Sequence, residues 1–301
     1  MVDEGRTFED VDAQPHSRAR VGKGVRSGKE RRLLITGIVA ALVVGAGVFG
    51  PFFLDYDPMA INLRARLLPP GTELVDGGVA WFGTDHMGRD LLVQVVHGAR
   101  VSLLIAFGTV LIAAVVGTSF GIVAGYFGGR SDMIIMRVVD IQLAFPPLLL
   151  AIIIAGILGP SIWNVVLSLA VIRWAIFARL VRGITLSIRE KEYVEGARAL
   201  GVRSIGVMAR HILPNTLNAI VIIATLQIAL QMLAEGALSF LGMGVPPPTP
   251  SWGGLISHGR DYLDTAWWMS TIPGVAMTAV LLIIGMFGDA LRDRLDPRFH
   301  G

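Results

Sequence analysis

The chain has 301 residues, of which 53% are hydrophobic and 16% charged, and its mean hydropathy is +0.64, a balance too apolar for a soluble globular domain. A pI of about 9.6 could point to nucleic acid, but the formal net charge is only +3 and the basic residues flank apolar runs, as membrane topology requires, so nucleic acid is excluded as a partner and the lipid bilayer is the expected one. The absence of cysteine rules out disulfides, a thiolate nucleophile and a cysteine metal site.

Residues 1–32 lack hydrophobic periodicity, start acidic and turn basic from Arg18 to Arg32, which reads as a disordered tail whose basic end holds the first span's start in the cytoplasm. Residues 33–54 are uncharged and long enough to cross a hydrocarbon core, which takes about 20 residues; a signal peptide would have a shorter apolar stretch and a small-residue cleavage site. Residues 55–100 form a polar, turn-rich extracytoplasmic loop containing Leu68-Pro69-Pro70-Gly71 and Asp76-Gly77-Gly78. A core of five further spans, residues 101–290, follows. Its first span, Val101 to Phe127, carries Gly117, Gly121 and Gly125 on one face, where small residues let a second helix pack closely. The uncharged run Ile141 to Ile172 is too long for one crossing, and Gly159-Pro160-Ser161 divides it into spans near 138–158 and 161–183, the former kinked by Pro146-Pro147. Spans near 216–242 and 272–290 complete the core, joined by an outer loop with interfacial Trp252, Trp267 and Trp268. Residues 291–301 form a short charged tail. The expected fold is therefore all-α, with six transmembrane helices and both termini cytoplasmic. Of the 26 Lys and Arg residues, only Arg64, Arg66, Arg89, Arg100 and Arg260 then fall outside, which satisfies the positive-inside rule.

Between the fourth and fifth spans lies a loop at 187–214 that is charged and helix-compatible. Val194, Ala197, Leu200, Ile205, Met208 and Ile212 recur at helical spacing, while Arg198, Arg203 and Arg210 fall mostly on other faces. Gly201 divides it into two short helices, and Pro214 is expected to stop the second. The small residues Gly196, Ala197, Ala199 and Gly201 would let another protein approach the backbone. A solvated loop helix or a helix lying in the headgroups fits the periodicity equally well.

No residue carries an obvious catalytic role. Gly24 to Glu30 fails as a phosphate loop, with one residue too few between its glycines and Glu where Ser or Thr belongs. The six histidines are scattered without ligand spacing, so no metal is expected. Glu235, at membrane depth, faces either the transport path or a neighbouring helix that it hydrogen-bonds. Arg173, Arg179 and Arg182 are expected to snorkel to headgroups. Asp85, Arg89, Asp90, Trp252 and Arg260 are candidates to contact an outer partner, beside the plainer reading of salt bridges and turns. An autonomous channel or intramembrane enzyme is a second class of function, but apart from Glu235 and Asp140 the spans hold almost none of the polar groups an enzyme needs.

Glu195, Ala197, Gly201, Leu213 and Pro214 stand in register with the E-A-A, G, L-P pattern of the coupling loop found in permease subunits of binding-protein-dependent ABC importers; Gly196 and His211 depart from it. Phe82-Gly83-Thr84-Asp85 with Gly88-Arg89-Asp90, the stretch Glu235 to Gly242, and the ending Gly288 to Asp293 with Asp296-Pro297-Arg298 add to the match. Together they resemble the second permease subunit of dipeptide, oligopeptide and nickel importers. The resemblance implies the type I ABC importer permease fold and a non-catalytic subunit in a bacterial or archaeal cell (inner) membrane. Its implied partners are a homologous permease, two cytoplasmic ATP-binding subunits that hold the ATP and Mg, and an extracytoplasmic substrate-binding protein. It assigns ATPase coupling to Glu195, Gly196, Ala197, Leu200, Gly201, Arg210, Leu213 and Pro214. The implied cargo is di- or oligopeptides, with glutathione and nickel chelates as alternatives.

Overall fold

The long uncharged runs are helices in the computed structural model, which describes residues 16–53, 57, 58, 60–74 and 77–295, with side chains from residue 30 onward. In chain order the helices are α1 (His16–Phe49), α2 (Leu91–Phe127), α3 (Gly129–Ala144), α4 (Pro147–Leu158), α5 (Ile162–Ile188), α6 (Glu192–Ala199), α7 (Ser204–Val207), α8 (Leu213–Phe240), α9 (Trp252–Gly259) and α10 (Trp268–Leu295). A two-residue hairpin of β1 (Thr72–Glu73) and β2 (Val79–Ala80) lies in the segment before α2. Among the described residues, five helical stretches are long and apolar enough to cross a membrane, and α3 with α4 makes a sixth if that bent pair is one crossing. The chain is thus an all-α, multi-pass membrane protein.

Several boundaries differ from those expected. Helix α1 begins at His16, so residues 16–32 are helical rather than a loose tail; the acidic start and Asp296-Pro297-Arg298 lie outside the described residues. The span expected near 138–158 is not a kinked rod, because α3 and α4 meet at 97°. Two successive prolines cause this: Phe145 and Pro146 each precede a proline and are forced into extended backbone, with ψ of 141° and 121°. Pro147 then starts α4, where its missing N–H costs nothing. Helix α2 also starts earlier than expected, at Leu91, where the Asp90 carboxylate accepts the backbone N–H groups of Leu92 at 2.8 Å and Val93 at 3.3 Å.

Close packing of α2 on α5 organises the bundle. A Cβ added at Gly117 would sit 2.4 Å from the Trp174 carbonyl oxygen, at Gly121 2.6 Å from that of Ala178, and at Gly125 2.6 Å from Thr185 Cβ. The glycine stripe therefore brings the two backbones nearly into contact, as dispersion-driven packing in lipid favours. Helix α8 closes the core against α2 and α5, where Met232 and Leu238 are fully buried. Leu111, Val115 and Ile157, by contrast, point outward, as lipid-facing residues do.

Candidate functional site

The segment from Glu190 to Asn215 forms a projection of short helices. Helix α6 carries Glu192 and Glu195 in its first turn, where carboxylates suit the positive end of the helix dipole. It ends at Gly201, whose φ of +80° is a left-handed conformation that a side chain would strain. There the Gly201 N–H donates to the Arg198 carbonyl at 2.9 Å and the Val202 N–H to that of Ala197 at 3.1 Å, the paired bonds of a Schellman cap. The expected stop at Pro214 is not found. From Ser204 to Phe240 the helix runs on, through a widened π-type turn at Met208–Ile212 in which the Leu213 N–H reaches back to the Met208 carbonyl. That turn, with Pro214 just inside the start of α8, lets the chain continue despite the proline's missing donor.

Burial divides the apolar residues of this segment. Val194, Val207 and Ile212 are fully buried, and the Arg198 guanidinium lies over the Tyr126 ring at 4.6 Å, fixing α6 to the end of α2. Arg189 adds a hydrogen bond from Nη1 to the Gly125 carbonyl at 2.9 Å. Leu200 and Ile205, expected on the same stripe as Val194, instead flank the Gly201 turn 86% and 76% exposed. Glu195, Gly196, Arg210 and Pro214 are exposed around them, while Ala197 and Leu213 are half-buried. An anchored pair of short helices thus presents a bare apolar tip.

At the opposite ends of the spans, most of the candidate outer contacts are instead structural. Asp85 is buried; Oδ1 accepts from the backbone N–H of Met87 at 2.8 Å and Arg89 at 2.9 Å, and Oδ2 from Arg89 Nε at 2.7 Å and Gln94 Nε2 at 3.0 Å. Burial opposes its ionisation, but the Arg89 backbone and guanidinium together with Gln94 outweigh it and hold the carboxyl below its ordinary range. Asp90 goes the other way: burial raises its pKa despite the two N–H groups that it caps. Thr84 ties the same loop to Leu68 and to the Trp268 indole, whose Nε1 donates to the Thr84 carbonyl at 3.1 Å. Trp252 is buried too, its Nε1 donating to the Val95 carbonyl at 2.8 Å. Asp85 and Trp252 therefore offer no side chain to an outer partner. Arg260 does remain exposed, beside Asp261 and over the Phe240 ring.

Glu235 is fully buried among hydrogen-bond donors. Its Oε1 accepts from Ser239 at 2.8 Å and Ser251 at 2.9 Å, and its Oε2 from Ser102 at 3.3 Å. Ser102 in turn accepts the Trp252 backbone N–H at 3.1 Å. One carboxylate thereby joins α2, α8 and the start of α9. Sequence reasoning missed these three serines and Gln94; only the cost of a carboxylate at membrane depth pointed toward such a cluster. It also scattered His86 and His258, which the fold brings to 6.4 Å between ring centroids, with His86 stacked on Tyr262 at 5.5 Å. Among the described residues no group of acidic and histidine side chains is arranged to hold a metal. Two of the three arginines expected to snorkel are paired instead: Arg179 with Asp140 at 2.6 Å, and Arg182 with both oxygens of Asp132.

A multi-pass helical bundle with an anchored apolar tip at one end and a hydrogen-bonded platform at the other is a polytopic membrane protein with a helical projection beyond its spans. The chain belongs to the family of binding-protein-dependent transport system inner membrane components, whose pattern matches residues 117–301. It is 42% identical over 269 residues to a putative peptide transport system permease protein of Brucella suis, covering 89% of this chain and 88% of that one. It is 40% identical over 271 residues to the dipeptide transport system permease protein DppC of Alkalihalophilus pseudofirmus, covering 90% and 87%. With the probable D,D-dipeptide transport system permease protein DdpC of Escherichia coli it shares 37% identity over 292 residues, 97% and 96% of the two chains. Such a subunit is a transport component and not an enzyme.

Proposed function

We propose that this chain is one half of the translocation pathway of an ATP-driven importer for di- or oligopeptides. It pairs with a homologous permease, receives cargo from an extracytoplasmic binding protein, and is driven by two cytoplasmic ATPases that hold the ATP and Mg. The observation that carries this reading is the tip around Gly201. Two large apolar side chains, Leu200 and Ile205, are left uncovered by the rest of the chain at the end of short helices whose bases are fixed by Val194, Val207 and the Arg198–Tyr126 stack. A patch of this kind marks a protein-docking site. Its stiffness suits force transmission, because π-type helix and α8 connect it without a break to the membrane bundle. In this reading both termini and the tip lie in the cytoplasm, and closure of the ATPases draws the tip and its counterpart together, rocking the spans between inward-open and outward-open packings. Peptide as cargo follows from the three relatives named above.

Reconstitution of all the subunits in liposomes tests this. Uptake of a radiolabelled dipeptide is expected only with ATP inside and binding protein outside, and the chain alone is expected to be inert. Flux through the isolated chain would overturn the proposal.

A further inference from the structure

Helix α5 bears a third arginine whose position differs from its neighbours'. Arg179 and Arg182 are neutralised by carboxylates of α3, whereas Arg173 makes no ion pair, hydrogen bond or ring contact among the described residues. Measured from Ile162 it lies roughly 16 Å along the 27-residue α5, which, with Ile162 taken as the outer boundary of a hydrocarbon core about 30 Å thick, is near the middle of that core. There it lines a cavity of about 340 Å³ between α4, α5 and α8, walled by Pro147, Leu148, Leu169, Leu230 and Leu233, and it is the one polar side chain in that lining. A guanidinium at this depth is too costly to face lipid and marks a watery path or an anionic partner.

We propose that this groove is part of the solute path and that Arg173 receives the carboxylate of the passing solute. The guanidinium fork offers a two-point contact that a carboxylate matches. The apolar walls accept the rest of a small molecule, and the volume falls within the range of about 300–1,000 Å³ usual for such sites. Gln142 stiffens the wall, donating from Nε2 to the carbonyls of Val171 at 2.6 Å and Ile172 at 2.9 Å while its Oε1 accepts from Trp174. The proposal rests on the permease reading and adds the solute group that the path selects.

The test uses the complete transporter in nanodiscs and liposomes. This chain has no cysteine, so Leu148→Cys places a reporter thiol in the groove that is unique within it. The thiol is expected to react roughly tenfold faster with an anionic sulfonatoethyl thiosulfonate than with its trimethylammonium counterpart, and Arg173→Gln to erase the difference. At saturating loaded binding protein, Arg173→Gln is expected to cut uptake of radiolabelled alanyl-alanine by about tenfold, and Arg173→Lys by about threefold, with subunit stoichiometry unchanged. Equal rates for the two reagents, no reaction in any nucleotide state, or uptake by Arg173→Gln equal to wild type would overturn the proposal. So would a complex that dissociates in Arg173→Gln but holds in Arg173→Lys, which would show Arg173 paired with an acid of the second permease. Wild-type failure to carry the dipeptide, with anion preference intact, would count against peptide as cargo and leave the carboxylate site standing.

Discussion

Replacing Leu200 by alanine separates docking from folding. The side chain is 86% exposed, so it contributes almost nothing to the stability of the chain by itself, and truncation leaves no cavity behind. On docking into an ATPase cleft it would leave water, and the three carbons lost correspond to about 2 kcal/mol of burial energy. That converts to roughly 30-fold weaker association. Biolayer interferometry of the ATPase on nanodiscs carrying the permease pair measures the affinity, and thermal unfolding of the same nanodiscs checks the fold. The expected result is a fall of ten- to thirtyfold in affinity with an unchanged melting temperature. A change smaller than about twofold, well under what full burial of Leu implies, would show that the tip is not the docking surface. A lowered melting temperature would show that Leu200 packs within the chain after all.

Further consequences concern the scaffold. Gly121→Val would drive a Cβ to within 2.6 Å of the Ala178 carbonyl oxygen and is expected to cost at least about 2 kcal/mol, seen as lost folded yield; Gly156→Ala, with nothing within 4 Å, serves as the neutral control. Glu235→Gln turns one acceptor toward a serine donor as an NH₂ group, and is expected to lower stability by about 1–3 kcal/mol and to expose residues 243–251 to protease. Asp85 has a carboxyl pKa lowered on folding. Its stabilisation is therefore fully present above the unfolded pKa, about 3.9, and is lost as pH falls through the lower folded value. Asp85→Asn is expected to remove that acid step and to cost about 3 kcal/mol at neutral pH by stranding Arg89, as read from thermal unfolding followed by tryptophan fluorescence.

Local chemistry was legible in the sequence where one residue type dictated the outcome. Gly201 turns the chain, the Gly117 stripe packs a helix, and Asp90 caps one, each because of what its own side chain is or lacks. Proline was harder to read. Pro146-Pro147 does more than kink and Pro214 does less than stop, because the cost of a proline depends on the helix position it occupies: first turn and π-type turn tolerate it, while two in succession force extended backbone. Partners distant in sequence were not legible at all. Asp132 finds Arg182 and Ser102 finds Glu235 across separations of 50 and 133 residues, and nothing in either local pattern encodes the other. The split of the apolar stripe into buried Val194 and exposed Leu200 was hidden for the same reason, since periodicity gives a face but not what covers it.

The most direct test is the distance between the two tips during turnover. With Arg203→Cys, exposed beside the Gly201 turn and outside the apolar tip itself, in this cysteine-free chain and a matching thiol in the second permease, spin labels on the complete transporter are expected to draw together on ATP binding and to part on hydrolysis. Each tip should also crosslink to an ATPase subunit in both states. A distance that stays fixed through the cycle, or a tip that crosslinks to no ATPase, would contradict the coupling role assigned to α6 and α7.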